Sequence, residues 1–460
     1  MTISRDDSAH FLKKLLNLNQ YLFRLRVSGG FTVSVSDKTP QRDRIVIVGA
    51  GFGGFQAAQS LAGAAADVLL IDRHNYHTFM PLLYQVATAQ IEPSLIAYPV
   101  RTKLRGMNHV KFLQAEVKRV DFDHKLVDLG DSFIAYDYLV IATGAKPRDV
   151  GMPRTAESSF TLHSLQEALR LRHLFLRGFE RAAVTPNDAV RRRFITFIIV
   201  GGGPTGVEVA GALAEWLRGT VRRDFPELTG WGRIVLVQAG PTLLPEFSQR
   251  LGNYAHRQLE RLGVQVWLNT RVMHDSGHQI ELDNQDIIDT ETVVWAIGIA
   301  ANPPLLTQPA QPKAQGKLAV RETLQLVERA NVYAIGDVAY FEQSGQPLAG
   351  VAPEALQQGV AVARNLRRQL RDTDPQPFHY LNKGRLAIVG GYGGVGSVAG
   401  VNFNGFVAWL LWLLVHVTYL PGYRSRLLVL LTWVQNYGMG DRALRQLSAK
   451  GRARNKSTGF

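Results

Sequence analysis

The 460-residue chain contains no cysteine, which excludes disulfides, thiolate metal sites and any catalytic thiol, and leaves the redox compartment open. Acids are outnumbered: 52 Lys and Arg face 38 Asp and Glu, a formal net charge of +14. That excess suggests an anionic partner such as a lipid surface, an acidic protein or a nucleic acid. No internal basic motif of a nucleic-acid module accompanies it, so nucleic acid is not expected. The apolar run from Val407 to Leu420 is too short for a membrane span of about 20 residues. Composition is that of a folded chain, with 46% hydrophobic and 20% charged residues, and the length accommodates two or three domains.

What is present begins with Ile45-Val46-Ile47-Val48, a β-branched run suited to a strand buried on both faces. It breaks into Gly49-Ala50-Gly51-Phe52-Gly53-Gly54, and small and apolar residues to Ala62 follow as a helix. Gly49 permits the tight turn, Gly51 lets backbone approach a pyrophosphate, and Gly54 lets helix and strand pack closely. The helix N-terminus offers free N–H groups to phosphate. A second strand, Val68 to Ile71, ends in Asp72, where a ribose-binding carboxylate belongs.

The pattern recurs. Phe194 to Val200 leads into Gly201-Gly202-Gly203-Pro204-Thr205-Gly206 and a helical run to Leu217. Two such units imply two dinucleotides. Here the following strand, Ile234 to Val237, ends in Gln238. A neutral amide loses a charge-assisted hydrogen bond to ribose but removes the repulsion of a 2′-phosphate, so both NADH and NADPH stand as ligands. A third spelling, Gly391 to Gly396, is followed by no helical run and reads as a hairpin.

Other strand ends are built of small residues. Tyr138 to Ile141 exits through Ala142-Thr143-Gly144, and the strand Thr292 to Ile297 exits at Gly298. Each allows backbone to come close to a bound dinucleotide, or is a simple strand-to-loop exit. Asn331 to Gly336 ends at Asp337, whose carboxylate suits a polyol hydroxyl such as flavin ribitol, or the cap of a following helix.

The chain ends differ from this core. Phe11 to Val27 interleaves leucines and aromatics with basic residues, as a membrane-surface or targeting helix or a flexible extension does. Near the other end, Trp409, Trp412, His416 and Tyr419 fall on one helical stripe. Arg424 and Arg426 follow, then a second apolar run containing Trp433, then a basic tail. Interfacial tryptophans with flanking arginines suit a protein lying in one leaflet on anionic headgroups; a dimer interface or a core helix fits the same residues.

Two dinucleotide units, the Asp72 end and the Ala-Thr-Gly and Gly-Asp turns resemble the two-dinucleotide-binding-domain flavoproteins. Within them, Asp72 to Tyr76, Pro81-Leu82-Leu83-Tyr84-Gln85-Val86-Ala87, Gly201 to Glu208, Val351 to Gly359 and the Leu410–Tyr437 region are similar to type II NADH dehydrogenases, the non-proton-pumping NAD(P)H:quinone oxidoreductases. The resemblance implies an α/β fold with two Rossmann-like domains and a C-terminal α+β region carrying membrane-associating helices. The division expected is an extension over 1–41, an FAD domain from 42–160 and 300–378, an NAD(P)H domain over 161–299, a membrane or dimer region over 379–445 and a tail over 446–460.

It further implies hydride transfer from NADH or NADPH to FAD and two electrons passed to a membrane quinone. Glu208 would stand near nicotinamide and flavin, its carboxyl raised in a dry position. Gln357, with Pro353 and Gln358, would face the quinone; Pro353 replaces a glutamine common in the family. The implied protein is a homodimer, peripheral on the cytoplasmic face of a membrane. An NAD(P)H-dependent ferredoxin or rubredoxin reductase and a redox-sensing NAD(H)-binding flavoprotein remain as alternatives. The first does not explain the tryptophan-rich C-terminus.

Overall fold

The computed structural model describes residues 42–148, 158–306 and 316–439. The amphipathic stretch within 1–41 and the tail over 446–460 lie outside the described residues.

The first apolar run forms the strand Asp43–Val48, central to a six-stranded sheet. On one side it pairs in parallel with Ala66–Asp72, which pairs with Val110–Gln114. On the other it pairs with Tyr138–Ile141, and the late strand Arg329–Ala334 joins beyond that. The sheet therefore joins the first hundred described residues to a strand about 190 positions further on. Ile45, Val46 and Ile47 have no exposed surface, as expected of a strand covered on both faces. Helix α1, Phe52–Ser60, follows the first glycine turn. A short helix α2, Leu83–Ala87, lies wholly buried in the segment after the second strand.

A second parallel sheet has the order Ser159–Phe160, Thr292–Trp295, Thr196–Val200, Arg233–Gln238, Val264–Leu268. Helix α3, Pro204–Trp216, follows its glycine turn. The C-terminal part contributes helix α4, Ala352–Gln369, a three-stranded antiparallel sheet over Arg385–Gly405, and helices α5, Phe406–Tyr419, and α6, Tyr423–Met439. The third glycine-rich spelling is the turn between the first two strands of that sheet, as its lack of a following helix indicated.

Glycines set how these layers meet. A Cβ at Gly359 of α4 would lie 2.5 Å from the carbonyl oxygen of Gly53, so α4 can cross α1 only because that atom is missing. A Cβ at Gly211 of α3 would lie 2.1 Å from the Val389 oxygen, and one at Gly394 would lie 2.7 Å from the Trp409 nitrogen. Backbone thus presses on backbone from α3 through the C-terminal sheet to α5. No helix among the described residues is long and apolar enough to cross a membrane.

Candidate active site: two nucleotide cradles and a buried carboxyl

The two glycine turns have the same construction. Gly49 and Gly201 adopt φ of +106° and +110°, the left-handed region that glycine enters without penalty. Their amides donate to the Ile71 and Val237 carbonyls at 2.7 and 2.8 Å. A Cβ at Gly54 or Gly206 would sit 2.0 or 1.9 Å from the Gly49 or Gly201 oxygen, which locks each helix against its strand. At Gly51 a Cβ would meet nothing within 4 Å, and at Gly203 only a Glu246 carboxylate oxygen at that distance. Open space above a helix N-terminus is what a pyrophosphate needs.

The strand-end residues repeat the correspondence. Asp72 accepts from the Ala50 amide at 2.6 Å and from the His74 amide at 2.7 Å. Gln238 occupies the matching place, its Oε1 accepting from the Gly202 amide at 2.8 Å and its Nε2 donating to the Thr242 carbonyl at 3.3 Å. Ala142 and Ala296 donate to Val48 and Val200, bringing the Ala142-Thr143-Gly144 and Gly298 exits to the two turns. Gly144 and Gly298 both have positive φ and open space where a side chain would be.

Thr143 Oγ1 is buried with no hydrogen-bond partner. An orphaned hydroxyl beside an open glycine turn fits a bound phosphate or sugar oxygen, so the first cradle suits FAD. Asp337 lies in a single 3₁₀ turn, Gly336–Val338. It lines a recess with Lys317, Gly350, Glu354 and Gln358. Burial raises its carboxyl, opposed by the charges of Lys317 and His163 and reinforced by Glu354.

Between the cradles and the C-terminal helices stands Glu208, half-buried on α3. Close contact at Gly211 brings this part of α3 onto the strand Arg385–Gly390, and Glu208 Oε1 accepts weakly from the Ile388 amide at 3.4 Å. Burial pushes the Glu208 carboxyl up to about 8; the Ile388 amide and the nearby Trp412 indole N–H pull the other way. At neutral pH it holds its proton, as the expected dry position requires. Tyr84 of α2 is buried alongside, its phenol raised by burial and then by the charge of Glu208. His416 stacks on Trp412 with ring centroids 3.8 Å apart, and burial holds its imidazole down to about 4, hence neutral.

Several expected residues are placed otherwise. Gln357 does not present a free amide, because its Nε2 donates to the Leu381 carbonyl at 3.0 Å and its Oε1 accepts from the Leu381 amide at 2.9 Å. Gln358 is buried, and its Oε1 accepts from the Gly336 amide at 2.6 Å, so it buttresses the Gly-Asp turn. Pro353 sits in the first turn of α4, where its missing N–H leaves no helical bond unmade. Neighbouring Glu354 satisfies that helix start by accepting from the Gly350 and Val351 amides.

The tryptophans expected at the lipid surface point inward. Trp409, Trp412 and Trp433 are buried, because Gly394 admits α5 onto the sheet and Gln85 takes the Trp433 N–H at 2.8 Å. The outer faces carry other apolar side chains instead: Phe406, Val407, Leu410 and Leu414 on α5, and Leu427, Leu431 and Val434 on α6. Tyr419 is exposed with them, as is Arg424. Arg426 turns back to the helix end, donating to the Leu420 and Thr418 carbonyls at 2.9 and 2.7 Å. Sequence reasoning assigned no role to Tyr84, Gln85 or Lys317; the quoted Pro81–Ala87 segment was the one signal for the first two.

Fold and paired cradles define a class, the pyridine nucleotide-disulphide oxidoreductases, whose family model matches residues 43–359. The type II NADH:quinone oxidoreductase Ndh of Mycobacterium tuberculosis is 35% identical over 414 residues, covering 86% of this chain and 89% of the relative. That of Staphylococcus haemolyticus is 27% identical, covering 76% and 88%. The structure of NDH2 from Plasmodium falciparum in complex with NADH has a TM-score of 0.79 at 21% identity, covering 89% of this chain and all of that one. The chain belongs to the type II NADH:quinone oxidoreductases, enzymes that use FAD and NADH.

Proposed function

We propose that this chain oxidises NADH, and NADPH as a second donor, and reduces a quinone dissolved in a membrane without pumping protons. Overall, NADH, one proton and a quinone become NAD+ and a quinol; the hydride supplies two electrons and one proton, and solvent supplies the other. Bound FAD supplies the hydride-accepting ring and relays the electrons. The chain's own part is to hold the two nucleotides at the Gly49 and Gly201 turns, to keep water from the reacting rings, and to hold a proton on Glu208.

The observation that carries this reading is the position of Glu208. It lies on the helix that opens the second cradle, yet it contacts the C-terminal sheet and lies by Trp412 of α5. Nucleotide chemistry and the apolar helices therefore meet at one carboxyl that is protonated at neutral pH. The apolar outer faces of α5 and α6, with Arg424 beside them and a chain charge of +14, support peripheral attachment to an anionic lipid surface, at the cytoplasmic face, as a homodimer.

Purified full-length protein should be yellow, lose that colour on addition of NADH, and regain it with menadione. It should also sediment with phosphatidylglycerol vesicles, and Leu414→Glu combined with Leu431→Glu should release it while sparing the colour changes. Proteoliposomes carrying a trapped pH dye should report no acidification. A colourless protein, or one reoxidised by ferredoxin and by no quinone, overturns the reading.

A further inference from the structure

Two adjacent residues of α2 have no part in the assignments above. Gln85 has no exposed surface, and both ends of its amide are engaged. Its Oε1 accepts from Trp433 Nε1 at 2.8 Å, and its Nε2 donates to the Tyr84 hydroxyl at 3.1 Å. An indole nitrogen can only donate, so the amide cannot be turned the other way round. The Tyr84 oxygen is thereby committed as acceptor towards Gln85, and its own hydrogen must go elsewhere. Among the described residues no acceptor takes it.

A second buried donor lies close by. Trp412 Nε1 is buried near the Glu208 carboxyl but within hydrogen-bond distance of no acceptor, and its ring meets that of Tyr84 edge to face at 6.3 Å. Trp412 also packs against Trp433 at 5.9 Å, and Phe79 closes on His416 at 6.2 Å. Two unfulfilled donors in an aromatic surround describe a site for a flat apolar ring that carries an oxygen acceptor. A buried donor left permanently unpaired is destabilising, so each calls for an acceptor.

We infer that Tyr84 O–H and Trp412 N–H together bind one carbonyl oxygen of the quinone, and that Gln85, anchored by Trp433, is the positioning residue that aims the Tyr84 hydrogen. The inference rests on the quinone reading of the preceding section. Gln357 is instead engaged with the Leu381 backbone.

The test uses the flavin-loaded full chain and menadione labelled with ¹³C at its carbonyls. In wild type, hydrogen bonding lowers the carbonyl stretch of the bound quinone. Tyr84→Phe and Trp412→Phe should each raise that frequency and raise the KM for menadione about five-fold, the loss of one hydrogen bond of about 1 kcal/mol; the KM for NADH should move less than about two-fold. Gln85→Glu should give the same frequency shift as Tyr84→Phe, because a carboxylate accepts from both Trp433 and Tyr84 and turns the Tyr84 hydrogen away. Should Tyr84→Phe fail to retain FAD, Trp412→Phe and Gln85→Glu decide. An unchanged carbonyl stretch and unchanged menadione KM in the variants that retain FAD would show that both donors serve Glu208 alone and would overturn the inference. Failure of wild type to be reoxidised by menadione overturns instead the reading beneath it.

Discussion

The two cradles share one backbone construction and differ in the side chain that ends the second strand and in what covers them. In both, a positive-φ glycine, a strand-end acceptor and an alanine exit stand in matching places. The first ends in the Asp72 carboxylate and is covered by α4, which reaches α1 through Gly53 and Gly359. The second ends in the Gln238 amide, and its helix runs on to Glu208 and the C-terminal sheet. A covered cradle with a charged acceptor suits a resident nucleotide; a cradle that leads to the half-buried Glu208 suits one that comes and goes. On the proposed reading, similar geometry would serve retention in one half and turnover in the other.

The largest way to break the comparison is at the turns. Gly49→Ala places a Cβ 2.2 Å from the Ala142 oxygen, and Gly201→Ala places one 2.4 Å from the Ala296 oxygen, each at a φ that L-residues avoid. Overlap and strain together cost more than about 3 kcal/mol. Gly49→Ala should purify without flavin absorbance; Gly201→Ala should stay yellow but require far more NADH for bleaching. Flavin loss from both would erase the distinction between resident and passing nucleotide.

Next in size is Glu208→Gln, expected to lower turnover about a hundred-fold by removing a positioned proton carrier. It has a second signature in stability. The folded carboxyl, at about 8, lies above its ordinary value of about 4.3. Between those values the folded state binds more protons than the unfolded one, so this contribution is full below about pH 4.3 and is lost as pH rises through about 8. Melting temperatures at pH 5 and pH 9 should differ less in Glu208→Gln than in wild type; an equal difference would mean that Glu208 is an ordinary surface acid.

How far these features were legible follows from how local they are. Each cradle lies in one strand–turn–helix, so Gly49, Gly51, Gly54 and Asp72, and again Gly201, Gly203, Gly206 and Gln238, could be read in order from hydrophobic runs and glycine spacing. The site around Glu208 is assembled from Tyr84, Ile388, Trp412 and Trp433, which no local pattern joins. The inward turn of the tryptophans was hidden for a different reason. Helix α5 and the middle of α6 are apolar on nearly every face, so a 3.6-residue period finds a stripe without telling which side is covered. Gly394, which seats α5 on the sheet, could be read as a hairpin glycine but not as a docking point.

The smallest expected effect is also the most direct test of the side chain that ends the second strand of each cradle. Gln238→Glu keeps an acceptor for the Gly202 amide and restores a charge like that of Asp72. A carboxylate gives the ribose hydroxyls stronger, charge-assisted bonds and repels a 2′-phosphate. Its companion bond to the Thr242 carbonyl, made by Nε2 in wild type at 3.3 Å, is lost, which limits the gain. The ratio of kcat/KM for NADPH over NADH should fall about ten-fold, or about 1.4 kcal/mol, with flavin content unchanged. Because Ala239 follows Gln238 and brings no cation to a 2′-phosphate, the shift has to come from charge at position 238 itself. It should therefore shrink in high salt if the phosphate is partly solvated and persist if the cradle closes over it. An unchanged ratio at low salt would mean that Gln238 serves only to hold the Gly202 turn, and that the two cradles differ in what covers them alone.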